Sequence, residues 1–218
     1  MALRKVFDSL VGFALLGAMF FACSRLSGDK EEHEKRTESA ATPAPIAPPM
    51  PQPPSVQDQV MQSKTLQEAL FFLVPHMENT SGSDLPAAAA VLAMWMNKKF
   101  WWNELMWMPD SKRVEAMKDP ISFRGKRICL SGSVVEIYAD HSVDPVAFNG
   151  TIMTASFDTV RFIAVRSTRG IHENSPAKLC GIITGTQTYP TTGGGFSHAL
   201  FVVGVFDLPE NRSGGNRF

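Results

Sequence analysis

Three histidines have the clearest capacity for chemistry in this chain. His141 lies near Asp140 and Asp144, His172 stands beside Glu173, and His198 follows the glycine-rich stretch 191–195. Imidazoles and carboxylates of this kind could hold zinc or copper. Yet no two of the histidines share a helical i, i+4 spacing, and no dense Cys/His framework accompanies them. Each falls in a segment that reads as a loop, where a histidine is ordinarily solvated, so no metal and no cofactor is expected. Nucleophiles fare no better, because the chain has no Gly-x-Ser-x-Gly elbow. Ser131-Gly132-Ser133 reads as a strand bend. Gly193-Gly194-Gly195 lacks the Lys-Ser/Thr and helix of a phosphate loop, so it reads as a hairpin turn. A secreted hydrolase or metal-dependent enzyme built on the loop histidines therefore stands as the alternative, and a non-catalytic protein as the main reading.

The elements that would position any site begin with a leader. Arg4 and Lys5 precede an uncharged run over residues 10–22, and Ala22 stands before Cys23. A basic start, a short apolar stretch and a small residue before the cut describe a secretory leader. The run falls short of the roughly 20 apolar residues that a helix needs to span a bilayer. With Cys23 directly after Ala22, the leader resembles that of a bacterial lipoprotein. The resemblance implies acylation of Cys23, localisation in the bacterial cell envelope and a globular part outside the cytoplasm. Phe20 and Phe21 stand where that pattern has an aliphatic and a small residue. Cleavage without acylation and an uncleaved anchor are the other readings of the leader.

The chain holds three cysteines. With Cys23 lipidated, Cys129 and Cys180 remain as a disulfide pair or as two buried thiols. A bridge between them would be worth up to roughly 4 kcal/mol on the chain-entropy model. The balanced charge, net +0 with a pI near 7.0, removes any global electrostatic case for nucleic acid.

The division expected is a signal peptide over 1–22, a lipid anchor and disordered Pro-rich tether over 23–60, a helical segment over 61–120 and a β-domain over 121–218. The tether follows from the charged run 29–38 and from Pro43, Pro45, Pro48, Pro49, Pro51, Pro53 and Pro54, which favour an extended, solvated chain. Thr65 and Glu68 have the form of a capping box, and Leu66, Ala69, Leu70 and Leu73 keep helical spacing up to Pro75. A second helix is expected from Ala87 through Met96 and on to Met108, and a third from a cap at Asp110 to Met117. All four tryptophans fall here, Trp95, Trp101, Trp102 and Trp107. They read as a helical layer packing on the next domain, or as a partner or membrane surface formed by Trp101, Trp102 and Trp107.

From Arg124 onward the pattern becomes β. Strands are expected over 126–137, 148–154, 159–165, 178–188 and 199–206, the last an almost continuous apolar run that should be buried on both faces. A bend at Gly132 would turn Ile128, Leu130, Val135 and Ile137 to one interior. Five such strands resemble an OB-fold barrel. Residues 130–135 and 180–186 (Leu130-Ser131-Gly132-Ser133-Val134-Val135 and Cys180-Gly181-Ile182-Ile183-Thr184-Gly185-Thr186) are similar to the first and fourth strands of the tRNA-anticodon-binding-like subset. The fold class expected is thus mainly β, a five-stranded OB-like barrel preceded by two or three helices. Because the first and fourth strands of an OB barrel are neighbours, the resemblance implies a cross-strand Cys129–Cys180 bridge. It also implies a ligand face, with Arg127, Arg161, Arg166 and Arg169 beside Phe148, Phe157 and Phe162 for stacking. Lys118-Asp119-Pro120, Arg124-Gly125-Lys126 and Phe206-Asp207-Leu208-Pro209 make the chain similar to uncharacterised bacterial envelope lipoproteins.

These readings converge on a membrane-anchored envelope lipoprotein that binds or scaffolds a protein or glycan partner. A single-stranded nucleic-acid or oligosaccharide binder on the OB face is the further alternative. Nucleic acid is the less expected ligand, because it is not the usual partner outside the cytoplasm.

Overall fold

A computed structural model describes residues 53–82, 84–141, 144–191 and 193–213. The leader, Cys23 and most of the tether lie outside the described residues. The first helix, α1 (Val56–Gln62), begins inside the range assigned to the tether. Ser55 and Asp58 form a reciprocal capping box there, and Val60 turns into the core. Helix α2 (Leu66–Leu73) starts as expected, with the Thr65 hydroxyl accepting the Glu68 N–H, and a single tight turn at Val74–His76 ends it at Pro75.

Helix α3 (Ala87–Lys99) does not run on to Met108. Phe100 and Trp101 are extended, and α4 (Trp102–Trp107) starts afresh. The break sends Phe100, 1% exposed, into the core beside Trp95 and Met96. Helix α5 (Arg113–Lys118) is capped at Lys112 rather than Asp110. The Asp110 carboxylate instead accepts the Cys129 N–H at 3.1 Å and approaches the Arg127 guanidinium. That contact covers a strand edge that would otherwise be bare. A four-residue helix, α6 (Pro209–Arg212), follows the last strand.

The strands are β1 (Thr80–Ser81), β2 (Arg127–Asp140), β3 (Ala147–Thr154), β4 (Thr159–Ala164), β5 (Pro176–Pro190) and β6 (Phe196–Phe206). They form one six-stranded mixed sheet in which β2, β3, β4, β6 and β5 close into a ring. The long β2 makes closure possible. Residues 127–133 pair with β5 and residues 132–140 pair with β3, so one strand serves two neighbours. β4 and β6 run parallel, and the other ring pairings are antiparallel. The short β1, absent from the sequence reading, lies parallel to β5 at Gln187–Thr188.

The bend in β2 is displaced from its expected position. Register shifts between Val134 and Glu136, which leaves Val135 exposed while Val134 and Ile137 turn inward. Gly132 has another duty, since a Cβ there would stand 2.2 Å from the Met153 carbonyl oxygen. Close backbone approach where β2 changes partner excludes a side chain.

Two apolar clusters result. Inside the ring, Ile128, Val134, Ile152, Val160, Phe162, Leu200, Val202 and Phe206 pack together, with Ala116 of α5. Outside it, Phe201, Val203 and Val205 of β6 and Ile182 of β5 pack under α1–α4 against Leu70, Leu92, Trp95 and Phe100. β6 is therefore buried on both faces, as its unbroken apolar run implies.

Candidate functional site

Cys129 and Cys180 stand directly opposite one another on β2 and β5, with Cα atoms 4.1 Å apart, and their sulfurs are bonded. The bridge lies on the outside of the ring, where Cys180 is fully buried under the helical layer and Cys129 partly so. It staples the strand pair that closes the ring.

The residues expected to form one ligand face lie in several different places. Phe162 is in the ring interior, and Phe148 packs against the same cluster from its rim. Inward orientation follows from the strand's period of two, which sends Asn149, Thr151, Arg161 and Ile163 to the outer face instead. Phe157 caps the turn between β3 and β4, 82% exposed. Arg127 is nearly buried and donates to the Met106 carbonyl at 3.0 Å. Arg166 follows β4, donates to the Phe100 carbonyl and lies over the Phe100 ring at 5.4 Å. Arg169 is exposed in the loop after β4. Only Arg161 sits on the outer face of β2–β4. Its guanidinium meets the Glu136 carboxylate at 2.9 Å, and the Thr151 hydroxyl donates to the same oxygen at 2.7 Å. That face carries this internally paired polar cluster together with Tyr138, which stands opposite Asn149 and is 49% exposed. Among the described residues it therefore offers one ring rather than the row of aromatic platforms that successive bases stack on.

The tryptophans divide between core and surface. Trp95 is fully buried, with its indole N–H on the Ser63 carbonyl, while Trp102 is half-buried. Trp101 and Trp107 are exposed, and Trp107 rims a groove of about 550 Å³ with Leu66, Leu70 and Met108. The three candidate histidines are exposed and on separate elements. His141 follows β2, His172 precedes β5 with its ring on the Glu173 carbonyl, and His198 on β6 meets the Thr188 hydroxyl. Among the described residues, no group of three or more His, Cys, Asp or Glu side chains is arranged to hold a metal.

A further concavity has no counterpart among the sites read from the sequence. A cleft of about 840 Å³ opens at the C-terminal end of α3, lined by Lys64, Asn97, Lys98, Lys99, Trp101, Arg166 and Glu210, among others. Its floor is held by side-chain amides. Asn97 donates to the Pro145 carbonyl and accepts the Arg166 N–H. Asn211, 2% exposed, accepts the Ser167 N–H and donates to the carbonyls of Ser167 and Phe206. The Lys98-Lys99 doublet was the available signal. At a helix end, however, it reads first as compensation for the helix dipole.

One carboxylate beside this region is strongly engaged. Asp207 sits just past β6 with its side chain 7% exposed, receiving Arg212 and, at 3.2 Å, Lys178. The hydrogen bond from Arg212 holds its pKa below the ordinary aspartate value, with Lys178 adding to the effect against the opposing cost of burial.

Among the described residues no helix is long and apolar enough to cross a membrane. The chain matches no protein-family model, and no curated protein is significantly similar to it.

Proposed function

We propose that this chain is a lipid-anchored envelope protein whose folded part is a non-catalytic binding module outside the cytoplasm. The disulfide carries this reading. Cys129 and Cys180 are bonded on adjacent strands, and such bonds persist in oxidising compartments. That chemistry supports a secreted destination, and so supports reading residues 1–22 as a leader and Cys23 as its acylated end. The closed strand ring is read as an OB-like barrel. Its order of first, second, third, fifth and fourth strands, with the third and fifth parallel, supports that assignment. Binding is read as the work of concave and exposed surfaces around the helical layer, rather than of the polar face of β2–β4. The cleft beside α3 and the exposed Trp101 and Trp107 support this.

Membrane fractionation of cells expressing Cys23→Ala tests the anchor. Release of the variant into the soluble extracytoplasmic fraction is expected; membrane retention equal to that of the unaltered chain would sink acylation. Crosslinking in cells followed by partner identification tests the binding role. Recovery of a defined protein or glycan is the expected result. Turnover of a substrate abolished by substituting His141, His172 or His198 would replace that role with the enzyme reading.

A further inference from the structure

The cleft beside α3 has features that together define a ligand chemistry. At about 840 Å³ it falls within the range of small-ligand sites, roughly 300–1,000 Å³. Its charged lining is Lys64, Lys98, Lys99 and Arg166 against the single acid Glu210. The Lys99 ammonium donates to the Met61 and Ser63 carbonyls, neutral partners that orient the charge without cancelling it. Lys64 and Lys98 are exposed, and neither lysine forms an ion pair with a described residue. The site is therefore positive and attracts an anion.

Trp101 adds a second requirement. It is 42% exposed at the cleft while the neighbouring Phe100 is buried, so a flat apolar surface remains open beside the cations. A large ring of this kind, presented half-wet, packs well against the apolar face of another ring. The Asn97 and Asn211 amides fix the backbone around the cleft, so little ordering would be needed on binding.

We propose that this cleft binds an anionic carbohydrate, a glycan segment carrying carboxylate or phosphate groups. Its sugar ring lies on Trp101 and its charge meets Lys64 and Lys98. A single-stranded nucleic acid also combines charge with stackable rings. The disulfide favours the glycan, because it belongs to a compartment where nucleic acid is not the usual partner. This ligand class deepens the binding-module reading and rests on it, though not on the lipid anchor.

Calorimetric titration of the full chain with a short oligogalacturonide tests the proposal, with a neutral maltooligosaccharide and an oligothymidylate as comparison probes. The oligogalacturonide should bind with an affinity that falls as salt rises, and the maltooligosaccharide should bind at least about tenfold more weakly. The combined Lys64→Ala/Lys98→Ala variant should weaken binding about tenfold, and Trp101→Ala about fivefold. All these residues are exposed, so the unfolding midpoints should stay at the wild-type value and separate lost binding from lost fold. No binding of the oligogalacturonide, equal binding of the neutral sugar or wild-type affinity in both variants would each overturn the assignment. Tighter binding of the oligothymidylate would make the cleft a nucleic-acid groove instead. If the glycan fails while crosslinking in cells recovers a protein partner, the ligand class falls and the binding-module reading stands.

Discussion

The outer surface of the strand ring has two contrasting parts. Under the helices, β5 and β6 present Ile182, Phe201, Val203 and Val205 to Trp95, Phe100 and Leu92, and the Cys129–Cys180 bond lies within that contact. On β2–β4 the outward residues include Glu136, Thr151 and Arg161, tied to one another, with Thr151 buried, Glu136 and Arg161 partly open to solvent and Tyr138 exposed beside them. Both parts are made by the same alternation of side chains across a sheet. They differ in what covers them. Where helices supply an apolar lid, burial at about 25 cal/mol per Å² drives packing. Where no lid exists, ion pairs keep the strand surface soluble and contribute little.

The largest effect should come from the covered side. Trp95→Ala removes a fully buried indole and its bond to the Ser63 carbonyl, and should cost about 3–5 kcal/mol in denaturant unfolding. A loss below about 1 kcal/mol would mean that the helical layer is not part of the core. Next, Cys129→Ala/Cys180→Ala opens a loop closed over a sequence separation of 51 and should cost up to about 4 kcal/mol. The same drop in thermal midpoint is expected when the unaltered chain is reduced, and reductant should not affect the double variant.

Asp207 lies between these extremes. Its folded pKa is lowered, chiefly by Arg212, so its contribution is complete above the unfolded value of about 3.9 and is lost as pH falls through the lower folded value. Asp207→Asn should destabilise by about 1 kcal/mol at neutral pH and match the unaltered chain in strong acid. An equal loss at every pH would point to packing rather than charge. On the open face, Glu136→Gln removes a pair with Arg161 and should cost below about 1 kcal/mol, less still at high salt. The smallest effect is expected for Phe157→Ser at the exposed turn, within about 0.5 kcal/mol. A cost at Glu136 rivalling that of Trp95 would erase the contrast between the two surfaces.

Much of the strand plan was legible because strands write a local pattern. The continuous run ending at Phe206 marked burial on both faces, and glycine and proline clusters bounded the rest. The helical layer was less legible at its joints. Ser55 and Asp58 carry a cap signal that the neighbouring prolines obscure, and the break at Phe100 has no breaker residue. It exists because an aromatic side chain gains more by reaching the core than the helix gains by continuing. Asp110 likewise has the type of a helix cap but serves a strand edge, a choice made by a partner many residues away.

The candidate cleft was the least legible part. Lys64, Lys98, Arg166 and Glu210 are scattered along the chain, and no spacing rule joins them. By themselves, residue types and periods determined the β-rich C-terminal part, the helical segment before it and the cysteines available to pair. Tertiary structure decided the closure of the ring, the side on which the disulfide lies and which phenylalanines point inward. It also gathered the lysines at the end of α3. Those outcomes depend on contacts between distant segments, whose free energy appears only when the chain has folded.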